Sequence, residues 1–414
     1  MQIIRAARLI DGRRAEPLLD HALFIEDGQI HDLKPWRNEL STTQVIDLGN
    51  ATLLPGFIET HAHLVLDPGM HDRSNWHPSN ETLLLLDVGN AQSALRAGVT
   101  TICDAGGPNP ILFALRDAIR DGTVIGPRLL ASGYPITTAR GHGMPDEYTD
   151  KQPASDKPAT TPRKTVLGLV ATTAEEVRQA VRAQVEAGAD FIKTMATGGG
   201  GKPVSQYGFA ELHAAVTESR NLGKRIIAHC HGTAGIRDAV EAGVTRVEHC
   251  SFLEEGDSIF HADIAAKIVE KGIYVCPTNT VDYRNWQRFQ EPKDTERLAP
   301  RKQIVPTWRA LYEHGVQFVA GSDAGTSHVF FDDYALIMEL MVKELGMTPM
   351  QAILSGTRIA AEAIGLEKEI GTLETGKCAD LVAVEGNPLN DITALRQIRL
   401  VMSSGKSFGV LFKN

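Results

Sequence analysis

The chain reads as an α/β protein: a (β/α)8 barrel of the TIM type carrying a small β-sandwich built from both termini. Two observations lead there. The middle of the 414-residue sequence alternates apolar strand-like runs with helical patterns, eight units in all. Both ends read instead as short strands joined by tight turns. On this reading residues 1–54 and 366–414 make the small domain, and residues 55–365 make the barrel. An open doubly wound sheet is the rival, but it wants a Gly-rich phosphate fingerprint after its first strand, and the sequence has none.

At the N-terminus, Gln2-Ile3-Ile4, His21–Glu26 and Gln29–Leu33 are strand-like, with Asp27-Gly28 as the hairpin signal. The apolar run Leu53–Ile58 reads as a buried strand leading into Glu59-Thr60-His61-Ala62-His63. Seven more strand-like runs follow: Val99–Cys103, Pro127–Ser132, Phe191–Met195, Arg225–His229, Arg246–His249, Ile273–Cys276 and Val316–Ala320. Helical patterns lie between most of them, at Glu81–Ala97, Ile111–Asp121, Ala174–Ala187, Glu211–Leu222, Gly235–Ala242, Ala262–Lys271 and Pro300–His314. Ala97-Gly98, Ala187-Gly188 and Ala242-Gly243 are helix-stop signals. Asp380–Val384 and Ile398–Met402, the latter followed by Ser404-Gly405, return to the strand-and-turn pattern. Two stretches break the alternation. Residues 134–166, long and polar, read as a lid or a partly disordered insertion, and residues 278–300 as a second irregular loop with Tyr283 and Trp286.

Composition narrows the function classes. A hydrophobic fraction of 43% and a charged fraction of 22% are ordinary for a soluble globular chain. A net charge of −9 speaks against nucleic acid, which wants a basic face, and leaves a small-molecule substrate as the expected partner. The five cysteines form no CxxC pair, and Cys103, Cys230, Cys250 and Cys276 sit in apolar contexts as small buried hydrophobes. No disulfide framework is expected, which fits a reducing compartment. No apolar run reaches the roughly 18 residues of a membrane span, and the N-terminus lacks a signal peptide's apolar core. A cytoplasmic protein without a membrane partner is the expectation. A homo-oligomer is compatible with the fold, although no stripe of residues marks its interface.

The chemistry gathers at strand ends. Alternate residues on a strand point the same way, so His61 and His63 are co-directed, half of a first-row metal site. Strand ends are where a parallel barrel builds its active site. Ligand types recur at other strand ends: Lys193 after Phe191-Ile192, His229 after Ile226-Ile227-Ala228, His249 after Val247-Glu248, and Asp323 after Gly321-Ser322. A lysine inside an apolar run is costly unless something satisfies it. One buried histidine is more often a hydrogen-bonded core residue than a ligand, but four histidines and an aspartate at successive strand ends are not explained that way. No serine stands in a Gly-x-Ser-x-Gly elbow. His71, His77, His213, His261 and His314 fall away from the pattern and read as surface residues.

The Pro55–His63 start, the lysine strand, the two histidine strands, Gly321-Ser322-Asp323-Ala324 and the tail Gly371–Val382 together closely resemble the amidohydrolase superfamily of metal-dependent hydrolases. The resemblance implies a binuclear site, usually of zinc. His61, His63 and Asp323 would hold the more buried ion and His229 and His249 the other, bridged by Lys193 after carboxylation by CO2. It also implies hydrolysis of a carbon–nitrogen bond by a metal-bridging hydroxide, with ions about 3.5–4 Å apart polarising the carbonyl. Asp323 is then the catalytic proton carrier, taking a proton from the attacking water and passing it to the leaving nitrogen. The presence of all six ligand positions argues against a non-catalytic scaffold.

Lys193–Gly200, and Ala131–Thr138 leading to Gly141-His142-Gly143, resemble the prolidase-like and Xaa-Arg dipeptidase branch, which acts on dipeptides and N-acyl amino acids. There the histidine matching His142 helps to hold the substrate carboxylate, and backbone amides of the Gly-rich segment could cradle an anion. One departure is visible. The branch usually has a tyrosine two residues after the fifth-strand histidine, and here His231 stands there. A histidine can still donate to a carboxylate, but its charge depends on pH. Cyclic amides, carbamates and aryl amides, as in an imidazolonepropionase-like enzyme, therefore stay open. His328 is a further substrate-contact candidate at the pocket mouth.

Overall fold

Thr52–Pro55 joins the two halves of the architecture. In the computed structural model, which describes residues 1–37, 45–70, 78–143, 168–199, 203–288, 295–326 and 328–410, this strand lies at the middle of a sheet drawn from both termini. It pairs in parallel with Gln2–Leu9 and antiparallel with Leu381–Val384. The sheet has eight strands. Lys406–Val410 and Ile398–Ser403 extend it past Leu381–Val384, Leu18–Glu26 and Gln29–Pro35 extend it past Gln2–Leu9, and Val45–Asp47 also pairs with Gln2–Leu9. The Asp27-Gly28 signal is met, with φ of 50° and 79° between the paired Glu26 and Gln29, as an Asp-Gly hairpin requires. Ile4, Leu23, Leu53, Leu381 and Leu400 share one apolar cluster on this sheet.

Gly56 then passes the chain into the parallel strands. A Cβ there would collide with the Thr100 side chain, so the crossing admits only glycine. Phe57–Ala62, Val99–Asp104 and Arg128–Ala131 pair in parallel. Ile136–Thr137, Ile192–Met195, Ile226–Gly232, Arg246–Glu254 and Tyr274–Cys276 form a second parallel set. The Asp190 N–H donates to the Ala131 carbonyl at 2.9 Å between the two sets.

Residues 316–320, expected as a strand, make an isolated bridge from Phe318 to Val275 instead of a regular ladder. The segment is nonetheless bonded on both sides. Val319 N–H donates to Val275 O at 2.9 Å, Thr60 N–H to Ala320 O at 3.2 Å, and Asp323 N–H to His61 O at 2.7 Å.

The expected helices appear as Asn80–Arg96, Asn109–Arg120, Ala174–Glu186, Phe209–Asn221, Thr233–Ala242, Ala262–Glu270 and Thr295–Glu313. Their ends are chemically marked. Ser79 accepts the Thr82 N–H, Thr173 and Glu176 form a capping box, and Gly243 stops its helix at φ 85°. Three further helices, Ala335–Leu345, Pro349–Ser355 and Arg358–Ile364, follow the 316–324 segment.

Residues 278–300 are not an irregular loop. Asn279–Arg288 is helical, and the helix beginning at Thr295 enters the same stretch. Its polar, aromatic sequence hides the period from a pattern reading, and tertiary bonds stabilise it. Arg301 donates to the Asn279 carbonyl at 3.3 Å, ion-pairs with Glu344 and lies over the Tyr283 ring. In the expected lid of residues 134–166, Ile136–Thr137 is a short strand, and residues 144–166 lie outside the described residues.

Cys103, Cys230, Cys250 and Cys276 are buried, and all five cysteines are free thiols. Among the described residues no helix is long and apolar enough to cross a membrane.

Candidate metal centre

The parallel strands bring all six expected side chains together. His61, Lys193, His229, His249 and Asp323 are buried, and His63 is nearly so. Asp323 Oδ1 lies 3.6 Å from His61 Nε2 and 3.5 Å from His63 Nε2, and Lys193 Nζ lies 3.3 Å from His61 Nε2. The His61 and His249 rings are 5.3 Å apart, and those of His229 and His249 are 4.4 Å apart. Ligand atoms of His61, His249 and Asp323, and of His229, His231 and His249, fall within 4.8 Å of one another.

The partners of the histidines decide which nitrogen faces the centre. His61 Nδ1 is 2.5 Å from Glu248 Oε2, His63 Nδ1 is 3.0 Å from the Gly106 carbonyl, and His249 Nδ1 is 2.7 Å from Thr278 Oγ1. A carboxylate or carbonyl can only accept, so His61 and His63 donate from Nδ1 and present the Nε2 lone pair. His229 is reversed. Its Nε2 is 3.3 Å from the Gly198 carbonyl, which turns the Nδ1 lone pair inward.

Burial pulls the His63 imidazole down to about 4, against the opposing field of Asp323. Burial likewise holds His229 and His249 well below the ordinary value, so these rings are neutral, the form a metal requires. Burial also pushes the Lys193 amine down, against the pull of Glu248 and Asp323.

Asp323 Oδ1 is buried without a hydrogen-bond partner, which is costly for a carboxylate oxygen unless a cation answers it. The donor set fits divalent ions: imidazole lone pairs and an orphaned carboxylate oxygen, converging on one point. His249 at φ 65° and Asp323 at φ 61° adopt left-handed backbone that non-glycine residues seldom take, and such strain collects at functional sites.

A second layer of residues escaped the sequence reading. Glu248 bridges His61 to the buried Arg246, whose Nε donates to Glu248 Oε1 at 2.5 Å and whose Nη2 donates to the Thr60 carbonyl at 2.6 Å. Burial works to raise the Glu248 pKa, but Arg246 and His61 outweigh it and hold the carboxyl below the usual range. Glu59 accepts the N–H of His61 at 2.8 Å, the N–H of Ser322 at 3.0 Å and the Ser322 hydroxyl, tying two ligand-bearing segments together. Burial pushes Glu59 up to about 8. Asp104 accepts the N–H of Leu64 at 2.7 Å and of Gly106 at 2.9 Å, fixing the carbonyl that holds His63. The signal was present. Glu59 and Glu248 are acids inside apolar strand runs, as conspicuous as the lysine that was noticed.

Of the substrate-contact candidates, two adjoin the cluster. The His142 ring lies 4.2 Å from that of His229. His231 stacks on His249 at 4.4 Å and 13°, with Nδ1 2.9 Å from Ser251 Oγ. His328 sits beside the loop after the first parallel strand, its N–H donating to the Pro68 carbonyl at 3.1 Å, also at positive φ.

Ligand-type side chains gathered at the ends of parallel strands are the architecture of metal-assisted hydrolases. The sequence profile of the amidohydrolase family matches residues 52–408, so the chain belongs to that family and is a hydrolase acting on carbon–nitrogen bonds. Ochratoxinase from Aspergillus niger is 29% identical over 99% of this chain and 86% of its own length, and its crystal structure superposes with a TM-score of 0.83. A Xaa-Pro dipeptidase with methionine bound in its active site is 29% identical, with a TM-score of 0.86 over 98% of this chain and 99% of its own. Imidazolonepropionase from Nocardia farcinica is 22% identical over 88% of this chain and 85% of its own length.

Proposed function

We propose that this chain is a two-metal hydrolase that cleaves the amide bond of a dipeptide or N-acyl amino acid. The observation that carries the reading is the orphaned Asp323 Oδ1 facing the Nε2 atoms of His61 and His63. In this reading residues 55–365 are a closed (β/α)8 barrel, and residues 1–54 with 366–414 are a separate small β-domain. His61, His63 and Asp323 hold one divalent ion and His229 and His249 the other, with zinc the expected metal. Lys193, buried with its amine pushed down by burial, is suited to react with CO2, and its carbamate replaces an unwelcome buried cation with an anionic ligand.

When bound, such ions supply a hydroxide at neutral pH and polarise the scissile carbonyl. Asp323 Oδ1 takes the proton released as water attacks and returns it to the leaving nitrogen, so that amide and water become acid and amine. His142 and His231, beside His229 and His249, bind the substrate carboxylate. One relative supports this substrate class by name, the Xaa-Pro dipeptidase. A second reading, hydrolysis of a cyclic amide, carbamate or aryl amide, is favoured by His231 at the branch's tyrosine position and by the imidazolonepropionase likeness.

The test is a panel of N-acyl amino acids, dipeptides and lactams, each beside a counterpart lacking the carboxylate, with metal content and the mass of Lys193 measured on the same protein. Carboxylate-bearing substrates should turn over far faster, with about two divalent ions per chain and one CO2 added to Lys193. A neutral lactam or carbamate outperforming every N-acyl amino acid would install the second reading. Full activity in metal-free protein would end both.

A further inference from the structure

Below the metal centre, at the opposite end of the strands, lies a cavity of about 320 Å³ that the proposed hydrolysis does not use. About half of its wall is apolar, formed by the cluster of Cys103, Phe191 and Ile227 with Leu130 and Ile364 packed against it. Two guanidinium groups enter it, Arg225 and Arg246. Arg225 donates to the Ala363 carbonyl at 3.3 Å and has no carboxylate within ion-pair distance among the described residues. Arg246 spends Nε on Glu248 and Nη2 on the Thr60 carbonyl, and its Nη1 has no partner among the described residues. The one acid in the lining, Asp190, ion-pairs with Arg116 at 2.9 Å and accepts the Ala131 N–H at 2.9 Å, both through Oδ2.

A larger cavity of about 510 Å³ shares Leu130, Asp190 and Leu366 with this one and adds Arg120 and Lys406 to the approach. Of these, Arg120 is ion-paired with Asp117 and Asp121, which leaves Lys406 as the added cation.

Unspent guanidinium donors above a half-apolar wall, in a space of small-molecule size, define the ligand by chemistry. We propose that this cavity binds a monocarboxylate with an apolar body, its carboxylate on Arg225 and Arg246. The site is separate from the strand-end cluster, yet linked to it by hydrogen bonds: Arg246 holds Glu248, and Glu248 holds His61 Nδ1. A carboxylate on Arg246 draws on the same positive charge that restrains Glu248. Glu248 then accepts more strongly from His61, and the His61 Nε2 lone pair becomes a better donor. Occupancy therefore tightens metal binding, and by linkage metal loading tightens the carboxylate by the same factor. This coupling rests on the metal-site reading above; the binding does not.

The probe is 4-fluorobenzoate, followed by fluorine NMR on the full-length metal-loaded protein. Saturable binding is expected, retained in Asp323→Asn with no more than the roughly fivefold loss that linkage to the metal allows, and weakened about tenfold or more in Arg225→Ala, which removes a charge-assisted bond. Leu366→Trp, which fills the junction of the two cavities, should weaken binding without removing a charge, so the proposal does not depend on one variant's folding. Loss of binding in Asp323→Asn with retention in both Arg225→Ala and Leu366→Trp would place the probe at the strand-end cluster and overturn the proposal. Displacement by inorganic phosphate at equal concentration would overturn the assignment of an apolar-bodied ligand.

For the coupling, the rate of zinc release to a coloured chelator should fall about fivefold with saturating probe, the lower end of ordinary allosteric coupling. That slowing should vanish in Arg225→Ala. Intact probe binding with an unchanged release rate would remove the coupling and leave the site. Protein that holds no stoichiometric zinc at all would instead indict the metal reading.

Discussion

Replacing Glu248 with glutamine tests whether the layer beneath the ligands sets the metal site. Both carboxylate oxygens are engaged at 2.5 Å, one by Arg246 Nε and one by His61 Nδ1, and neither Arg246 nor Glu248 meets solvent appreciably. At an effective dielectric of about 20, the Arg246–Glu248 attraction is roughly 7 kcal/mol before the cost of desolvation. Breaking a buried pair by removing one charge costs about 3–5 kcal/mol net. Glutamine has one acceptor oxygen for two donors. If it stays with Arg246, its amide NH2 opposes the Nδ1–H of His61, and the imidazole moves its proton to Nε2, directly toward Asp323 and Lys193. A ligand lone pair becomes an N–H, and metal affinity should fall about 10- to 100-fold. Urea unfolding of the metal-free protein reads the first effect, and zinc titration against a competing chelator reads the second. The double variant Arg246→Met/Glu248→Met separates them, since apolar replacement of a buried pair restores stability but gives His61 no acceptor. Wild-type zinc affinity in that double variant would refute the reasoning.

Three other outcomes follow from the same structure. Asp87 is buried with neither oxygen hydrogen-bonded, and burial together with the field of Asp104 raises it from 3.8 to about 8. Between those values the unfolded chain loses a proton the folded chain keeps, so stability falls as pH rises, by up to about 1.4 kcal/mol per pH unit, and levels off above about 8. Asp87→Asn should flatten that slope, matching wild type near pH 4 and exceeding it at pH 8 in urea unfolding; parallel curves would dismiss the assignment. Trp308 Nε1 donates to the carbonyl of His249 at 2.8 Å, so Trp308→Phe should cost about 1–3 kcal/mol and loosen zinc, whereas unchanged zinc affinity would show that this bond does not hold the strained His249 backbone. His231→Tyr should raise kcat/KM for N-acyl amino acids over carboxylate-free amides by about tenfold, the worth of one good hydrogen bond, and a ratio moving the other way would count against a carboxylate contact at residue 231.

What could be read from the sequence and what could not divide along physical lines. His61, His63, Lys193, His229, His249 and Asp323 were visible because polar side chains that end apolar strand runs violate the expectation for a core, and they recur at one place in each unit. The helix at Asn279–Arg288 was not, because bonds from Arg301 and Glu344, distant in sequence, support a segment with little apolar period of its own. The regular strand expected at Val316–Ala320 is reduced to an isolated bridge, with two backbone bonds to Val275 on one side and one from Thr60 on the other, just before Asp323 at φ 61°.

Glu248 and Arg246 show the deeper reason. Each side chain alternates along its strand toward one face, and sequence tells which face; only the fold tells that Glu248 meets a histidine 187 residues earlier. One consequence follows for the centre as a whole. Every ring whose second nitrogen meets an obligate acceptor is fixed by a group on a different strand or loop, Glu248 for His61, Gly106 for His63 and Gly198 for His229. The parallel strands and their loops therefore set ligand tautomers as well as ligand positions. A change that shifts one strand against its neighbour by a single residue would place that strand's ligands on the wrong face and strip them of their orienting partners at once.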